Sequence, residues 1–274
     1  MQCKTMKLIV FTDLDGTLLD HETYSFTPAL AALDRLKRHE CPIVITTSKT
    51  WAEVAPLQKA LDICDPCIVE NGSALYRGNS SFSTAVYDQS EKIFGRSYKD
   101  ICLFINQLPP HLRQKMVGFN DMTIEDVVHA TGLSAENASK AKQRLASEPF
   151  LWSGSSDELA KLRNHIEEAG LGLLQGGRFY HLLSKVDKSL AIKWLMVRAI
   201  KIFSDQDFHT CALGDGPNDI EMIREADTGV VIANSKGISL SIDNPHGKLV
   251  YTVDEGPKGW NKALNSLMDE LGLD

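Results

Sequence analysis

No segment of the 274 residues approaches the roughly 20 consecutive apolar residues that a membrane-spanning helix needs. Positive charge is in short supply: 29 lysines and arginines face 36 aspartates and glutamates, giving a formal charge of -7. That balance argues against nucleic acid or an acidic membrane surface as the main partner. Ahead of Asp13 there are only Lys4, Lys7 and the short apolar run Leu8–Phe11, which do not make a secretory leader, so a cytoplasmic location is expected. Low-complexity tracts and internal repeats are missing as well. The six cysteines (Cys3, Cys41, Cys64, Cys67, Cys102 and Cys211) are scattered. Cys64-Asp65-Pro66-Cys67 has no second pair and no histidines nearby, and its Asp-Pro reads as a turn into a strand rather than as a zinc or redox site.

What is present begins at the N-terminal strand. Leu8–Phe11 followed by Thr12 reads as a buried strand that Gly16 brings to a turn. Alternation along an extended chain sends Asp13 and Asp15 to the same side, with Leu14 opposite. Two acids placed together are costly to ionise unless something positive lies between them, and a divalent cation is the usual solution. The ends of strands are also where open α/β sheets hold their ligands. A solvated turn is the plainer reading of this pentapeptide alone. Far downstream, Cys211–Gly214 reads as another buried strand, followed by Asp215-Gly216-Pro217-Asn218-Asp219 and a helix from Ile220 to Ala226. Gly214 and Gly216 let backbone approach a ligand, and Asn218 and Asp219 suit a helix start.

Asp13-Leu14-Asp15-Gly16-Thr17 and Gly214–Asp219 resemble the first and fourth motifs of the haloacid dehalogenase superfamily, in its phosphatase branch. The resemblance implies Asp13 as a nucleophile that takes up a phosphoryl group, and Asp15 as the acid and then the base. It implies Mg2+ held by the Asp13 carboxylate, the Asp15 carbonyl and Asp215, with Asp219 behind them. For the second motif the candidate is Thr47 in Thr46-Thr47-Ser48-Lys49-Thr50, with Ser48 as the alternative; Thr50 and Glu53 have the spacing of a capping box. For the third it is Lys188, which opens a helix running from Leu190 to Ala199.

Spacing locates an inserted module. Thr27-Pro28 reads as the start of a helix that runs to about Glu40, leaving no room for an insertion between Asp15 and Thr47. Thr47 and Lys188 are separated by about 140 residues, far more than a crossover needs. The expected architecture is α/β: a Rossmann-like parallel-sheet core from 1–83 and 186–274, with an α+β cap of the C2 type at 84–185. Within the cap, helices are expected over Tyr98–Gln107, Thr123–Thr131, Ala135–Ala146 and Ser156–Ala169. A strand is expected at Phe150–Trp152, and a hairpin of Gly172–Leu174 and Arg178–Leu183 turning at Gln175-Gly176-Gly177. Pro56 inside Trp51–Asp62 implies a kink or a later helix start. Closure of the cap is expected about Gly72–Tyr76 and Leu183–Lys188.

Finer motifs narrow the resemblance. Ser48-Lys49-Thr50, Glu70-Asn71-Gly72, Gly177-Arg178-Phe179-Tyr180-His181 and Glu255–Trp260 together resemble the mannosyl-3-phosphoglycerate phosphatases. The implied partner is a small phosphorylated sugar conjugate that also carries a carboxylate, acted on by a monomer or homodimer. Ser48, Lys49, Asn71, Arg178, His181 and Asn218 are the candidate substrate contacts, with Arg178 preferred over His181 because its planar fork suits an anion. Glu70 is expected at a strand end facing the cleft, and Trp260 in the core. Another sugar-phosphate phosphatase, of the sucrose-phosphate or Cof type, and a phosphomannomutase are the rival readings.

Overall fold

Two sheets organise the chain in the computed structural model, which describes residues 5–176, 178–234 and 240–274. The large sheet begins with β1 (Thr5–Thr12), α1 (Leu30–Arg38), β2 (Ile43–Thr46), α2 (Trp51–Leu61), β3 (Cys67–Val69), β4 (Ala74–Tyr76), α3 (Ser81–Val86) and β5 (Glu91–Ile93). The chain then builds a second layer from α4 (Tyr98–Gln107), α5 (Pro110–Arg113), β6 (Met116–Gly118), α6 (Ile124–Thr131), α7 (Ala135–Ala141), β7 (Ser147–Trp152), α8 (Ser156–Glu168), β8 (Leu171–Gln175) and β9 (Tyr180–Ser184). It returns through α9 (Lys188–Ile202), β10 (Gln206–Gly214), α10 (Ile220–Glu225), β11 (Thr228–Ala233), β12 (Lys248–Glu255) and α11 (Gly256–Glu270). The eight-stranded sheet runs β12-β11-β10-β1-β2-β3-β4-β5, parallel from β12 to β3 and antiparallel at β4 and β5. The inserted sheet is antiparallel, in the order β6-β7-β9-β8. The expected α/β class with an α+β insertion is therefore the fold observed.

Strand β1 shows why its apolar run is unbroken. Leu8 and Val10 face a core filled by Leu33 and Leu36 of α1 and Trp260, Leu264 and Met268 of α11. Ile9 and Phe11 face the opposite core, with Ala191, Leu195 and Ala199 of α9 and Met222 of α10. A strand covered on both faces reads as continuous hydrophobicity instead of alternation. From β1 the chain proceeds to β2 on one side, while β10 lies on the other, so the strand order reverses at the carboxyl end of β1. Such reversals open a crevice for ligands.

Several local expectations change. Residue 84, the expected lower edge of the cap, lies within α3, whose Phe82 and Val86 pack into the large sheet's core, and β5 pairs with β4 in that sheet. Gly72–Tyr76 is not a connection to the cap, because β4 is bonded on both sides; the chain passes between the layers at 94–97 and 185–187. Helix α7 ends at Ala141 rather than Ala146, since the amides of Leu145 and Ala146 donate to the Glu70 carboxylate instead of continuing a helix. Thr27 lies inside a 3-10 turn and caps nothing, its hydroxyl accepting from Ser25. The Thr50–Glu53 capping box does form, and α2 starts at Trp51 and runs through Pro56 without delay. Of the hairpin turn Gln175-Gly176-Gly177, Gly177 lies outside the described residues. Among the described residues no helix is long and apolar enough to cross a membrane.

One close approach joins the two halves of the large sheet. Gly72 has φ +92, and a Cβ there would stand 2.1 Å from the Asp187 carbonyl oxygen, just ahead of α9. Gly72→Ala is expected to cost roughly 2–4 kcal/mol in urea denaturation, because both the backbone angle and the contact are lost. An unchanged midpoint would contradict this.

Candidate active site

Asp13 follows the last residue of β1, and its backbone N–H donates to the Leu213 carbonyl of β10 at 2.9 Å, which brings the Asp13 and Asp215 loops side by side. Behind it stands a buried chain of donors: the Trp260 indole donates to Thr12 Oγ1 (2.9 Å), and that hydroxyl donates to the Asp13 carbonyl (2.8 Å). Gly16 turns at φ +77, where a Cβ would come within 2.7 Å of Asp215 Oδ2. Its lack of a side chain lets the Asp215 carboxylate lie against the Asp13–Thr17 loop, where Thr17 Oγ1 donates to it at 3.4 Å.

Lys188 is the first residue of α9, whose N-cap Asp187 accepts from the Leu190 amide. Its ammonium lies 2.6 Å from Asp13 Oδ1 and 2.6 Å from Asp219 Oδ1, with only 1 % of the side chain exposed. The second Asp219 oxygen accepts from the backbone of Asp215 (3.2 Å) and Gly216 (3.0 Å), so Asp219 is fully engaged. Burial alone would depress the Lys188 ammonium, but Asp13 and Asp219 outweigh it and hold the value above the ordinary one. Burial pushes the Asp13 carboxyl up to about 8, with Asp219 and Asp15 adding to the rise against the pull of Lys188. Asp215 rises to about 6 through burial and Asp219.

Asp13, Asp215 and Asp219 each offer an oxygen within 4.8 Å of the others. Among the described residues, two ammonium groups, Lys188 and Lys49, are bonded within this set of four carboxylates (these three and Asp15). An all-oxygen donor set of clustered carboxylates suits a hard divalent cation, so the cluster is a candidate divalent-metal site.

Around this floor lies a cleft of about 270 Å³, lined by Asp13, Asp15, His21, Ser48, Asn71, Asp215 and Asn218 below and by Leu174, Gln175, Gly176 and His181 of the inserted layer above. A larger cavity of about 500 Å³ lies elsewhere, between α9 and β10, and holds none of the clustered acids. Lys49 reaches Asp15 Oδ2 at 2.9 Å; burial works against its charge, yet Asp15 and Glu53 hold it above its usual value. Asp15 Oδ1 is buried with no hydrogen-bond partner among the described residues. Asn71 (φ +57) donates its backbone N–H to the Thr47 carbonyl and accepts from the Asn218 amide at 3.2 Å. Thr47 is 1 % exposed and its hydroxyl accepts from the Lys49 amide, whereas Ser48 lines the cleft.

The structure places His181, and not Arg178, among the residues that line the cleft. Arg178 precedes β9, is exposed, and donates to the Ala130 carbonyl at 2.8 Å, away from the cleft. His181 lies in β9 and faces the acids; burial and the nearby Arg144 push it down to about 3, so the ring is neutral. Its Nδ1 has no partner among the described residues. Sequence reasoning did not pick out His21, Leu174, Gln175 or Gly176. His21 follows the first motif closely enough to have been suspected, but nothing in the hairpin's composition marks Gln175. Glu70 does not line the cleft; its carboxylate accepts from Leu145, Ala146 and Ser147.

The raised carboxyls have a measurable consequence. The unfolded chain would release these protons near the ordinary 3.8, while the folded protein keeps them to about 6 at Asp215 and about 8 at Asp13. Without a cation, stability is therefore expected to fall as pH rises from about 4 to about 8. A divalent cation replaces those protons, so the gain in Tm on adding Mg2+ should be larger at pH 8 than at pH 5. Equal gains, or none, would contradict the assignment.

Comparison with known proteins places this geometry. A family model for haloacid dehalogenase-like hydrolases matches residues 10–239. The chain is 37 % identical over 274 residues to a glucosyl-3-phosphoglycerate/mannosyl-3-phosphoglycerate phosphatase of Persephonella marina, spanning 96 % of this chain and 98 % of that one. It is 35 % identical over 284 residues to a phosphatase of the same description from Methanococcoides burtonii, spanning 97 % and 98 %. A phosphatase of the haloalkanoate superfamily from Bacteroides thetaiotaomicron has a similar fold, with TM-score 0.67, 19 % identity and coverage of 98 % and 96 %. So does the sucrose-phosphatase of a Synechocystis species, with TM-score 0.61, 14 % identity and coverage of 96 % and 98 %. The two solved structures share the fold, the two relatives share more than a third of the residues along nearly the whole length, and the chain belongs to the haloacid dehalogenase-like hydrolases.

Proposed function

We propose that the protein is a Mg2+-dependent phosphomonoesterase that removes phosphate from glucosyl- and mannosyl-3-phosphoglycerate. The observation that carries the chemistry is the buried Lys188 ammonium, 2.6 Å from both Asp13 and Asp219, beside Asp215 at the ends of β1 and β10. The substrate follows from the two relatives at 37 % and 35 % identity over nearly the full chain. In this reading the four-stranded sheet and its helices, from α4 to β9, select the substrate, and the large sheet performs the reaction.

With Oδ1 of Asp13 held by Lys188, Oδ2 attacks phosphorus and the ester P–O bond breaks. Asp15 gives its proton to the leaving glycerate oxygen. A water oxygen then bonds phosphorus, its proton passes to Asp15, and the bond from Asp13 to phosphorus breaks to release phosphate. Lys188 supplies fixed positive charge beside the attacking carboxylate, and Thr47 or Ser48 donates a hydroxyl to a phosphoryl oxygen. Asn71 and Asn218, bonded to each other, border the same position. Mg2+, held by Asp13, Asp215 and the Asp15 carbonyl with Asp219 behind them, would offset the repulsion between carboxylate and phosphate. Lys49 supports reading of the glycerate carboxylate, and His181 Nδ1, without a partner among the described residues, supports a hydrogen bond to the sugar.

Phosphate release should be measured on glucosyl- and mannosyl-3-phosphoglycerate, sucrose-6-phosphate, mannose-6-phosphate and 3-phosphoglycerate. The two glycosyl-phosphoglycerates are expected to dominate, with Asp13→Asn lowering turnover by about 10³-fold or more. Preference for simple sugar phosphates would sink the substrate assignment, and isomerisation without phosphate release would indicate a mutase. His181→Ala is expected to raise KM about tenfold, the worth of one good hydrogen bond. Arg178→Ala should leave KM within about twofold, and the opposite ranking would restore the arginine to the site.

A further inference from the structure

The cavity of about 500 Å³ between α9 and β10 has no part in the reaction described above. Its walls are apolar: Phe11 of β1, Ile192, Met196 and Ile200 of α9, Phe208 of β10 and Met222 of α10. Ile200 is 55 % exposed, so the apolar lining continues to the mouth. Acids dominate the polar groups. Asp207, Glu225 and Asp227 bring three carboxylates to the cavity, against the Lys193 ammonium and the His246 ring. Lys193 bonds Glu225 Oε1 at 2.6 Å, while Glu225 Oε2 is buried with no partner among the described residues. Gln206, the first residue of β10, has its Oε1 in the same state. Asp227 Oδ2 accepts from the amide and the hydroxyl of Thr210 (2.8 and 2.7 Å), and its Oδ1 stands 3.7 Å from His246 Nε2. A buried acceptor without a donor is destabilising until one reaches it. Two such acceptors, one of them anionic, set among apolar walls are the complement of a molecule with an apolar body and positively charged N–H donors.

We propose that this cavity is a second binding site, for an amphipathic organic cation, and that its occupancy is felt at the catalytic floor. An aromatic or branched aliphatic group fills the space among Ile192, Met196, Phe208 and Met222. An ammonium or amidinium group bonds Glu225 Oε2 and the Gln206 carbonyl, each turned toward the guest by rotation of its own side chain. The volume lies within the roughly 300–1,000 Å³ of small-molecule sites. Position gives the site its consequence. Helix α9 begins at Lys188 and α10 begins directly after Asp219, and Ser189 is itself part of the cavity wall. A guest between Met196 and Met222 therefore touches both helices whose starts set the 2.6 Å contact of Lys188 with Asp219. The Lys193–Glu225 pair ties the same two helices, and a cation that competes for Glu225 loosens that tie. None of the residues lining the cavity lines the cleft, so the effect falls on turnover and not on competition with substrate.

Tryptamine is a probe with this chemistry, and indole-3-propionate keeps the apolar body while reversing the charge. Calorimetry near neutral pH, with Mg2+ and inorganic phosphate present so that the acids of the floor are engaged, measures the affinity of each. Tryptamine is expected to bind one site with a Kd of roughly 0.1–1 mM, and indole-3-propionate at least about tenfold more weakly. Glu225→Gln keeps the shape and removes the charge, and is expected to weaken tryptamine about tenfold. Met196→Trp fills the cavity and is expected to abolish binding. In the wild type, kcat for p-nitrophenyl phosphate is expected to change at least about twofold as tryptamine saturates, and in Met196→Trp to stay constant. Absence of tryptamine binding overturns the site, as does binding that both variants leave intact, that p-nitrophenyl phosphate displaces, or that indole-3-propionate matches. Binding with kcat unchanged overturns the link to Lys188. Should Met196→Trp fail to fold, Glu225→Gln, in an ion pair at the surface, still decides whether the cation binds there. If the protein hydrolyses no phosphate ester, the phosphatase reading fails, while calorimetry still decides the second site.

Discussion

A single buried ammonium organises the catalytic floor. Lys188 bonds Asp13 and Asp219 together, and each of the three comes from a different element: the end of β1, the loop after β10 and the start of α9. Without that charge, three carboxylates with oxygens within 4.8 Å would repel one another in a site shielded from water. The surrounding structure serves the same contact. Asp187 caps α9 so that Lys188 is its first residue, Gly72 allows the Asn71 turn to lie against that start, and two backbone amides fix the far side of Asp219. Among the described residues the carboxylates outnumber the ammonium groups beside them, which makes the cluster a candidate for a divalent cation.

The elements that build this floor were legible because their constraints are local. A strand buried on both faces must be continuously apolar, and Leu8–Phe11 and Cys211–Leu213 are. Glycines where backbone and carboxylate nearly touch, and a threonine three residues ahead of a glutamate, announce themselves in order along the chain. What escaped depended on distant partners. Strand β5 is only Glu91-Lys92-Ile93 at a sheet edge, with no alternation strong enough to signal it. The early end of α7 is decided by Glu70, more than seventy residues upstream, which captures two amides the helix would have used. The order of Arg178 and His181 turned on where β9 begins: with Tyr180 as its first residue, the arginine falls outside the strand and finds a carbonyl on α6. Glu70 was expected at a strand end facing the cleft, and nothing in its identity reveals that its carboxylate bonds Leu145, Ala146 and Ser147 instead.

The division of labour proposed for the two layers has a physical basis. The chemistry at phosphorus needs fixed charge and rigid geometry, which strand ends and a helix start in a close-packed core provide. Selection of the alcohol needs a surface that can change without disturbing that charge, and the inserted layer offers one at the end of β8 and along β9. Solved structures with 14 % and 19 % identity share the fold, so the fold tolerates replacement of most of its residues.

In the proposed mechanism Asp13 itself takes up the phosphoryl group while Lys188 holds its other oxygen. The most direct measurement is acid quenching of the enzyme during turnover of its best substrate, followed by mass analysis of the peptide that contains Asp13. Added mass equal to one phosphoryl group is expected on Asp13, present during turnover and gone once substrate is exhausted. Turnover at full rate with no adduct on Asp13, or with the adduct on Asp15 or Asp215, would contradict it.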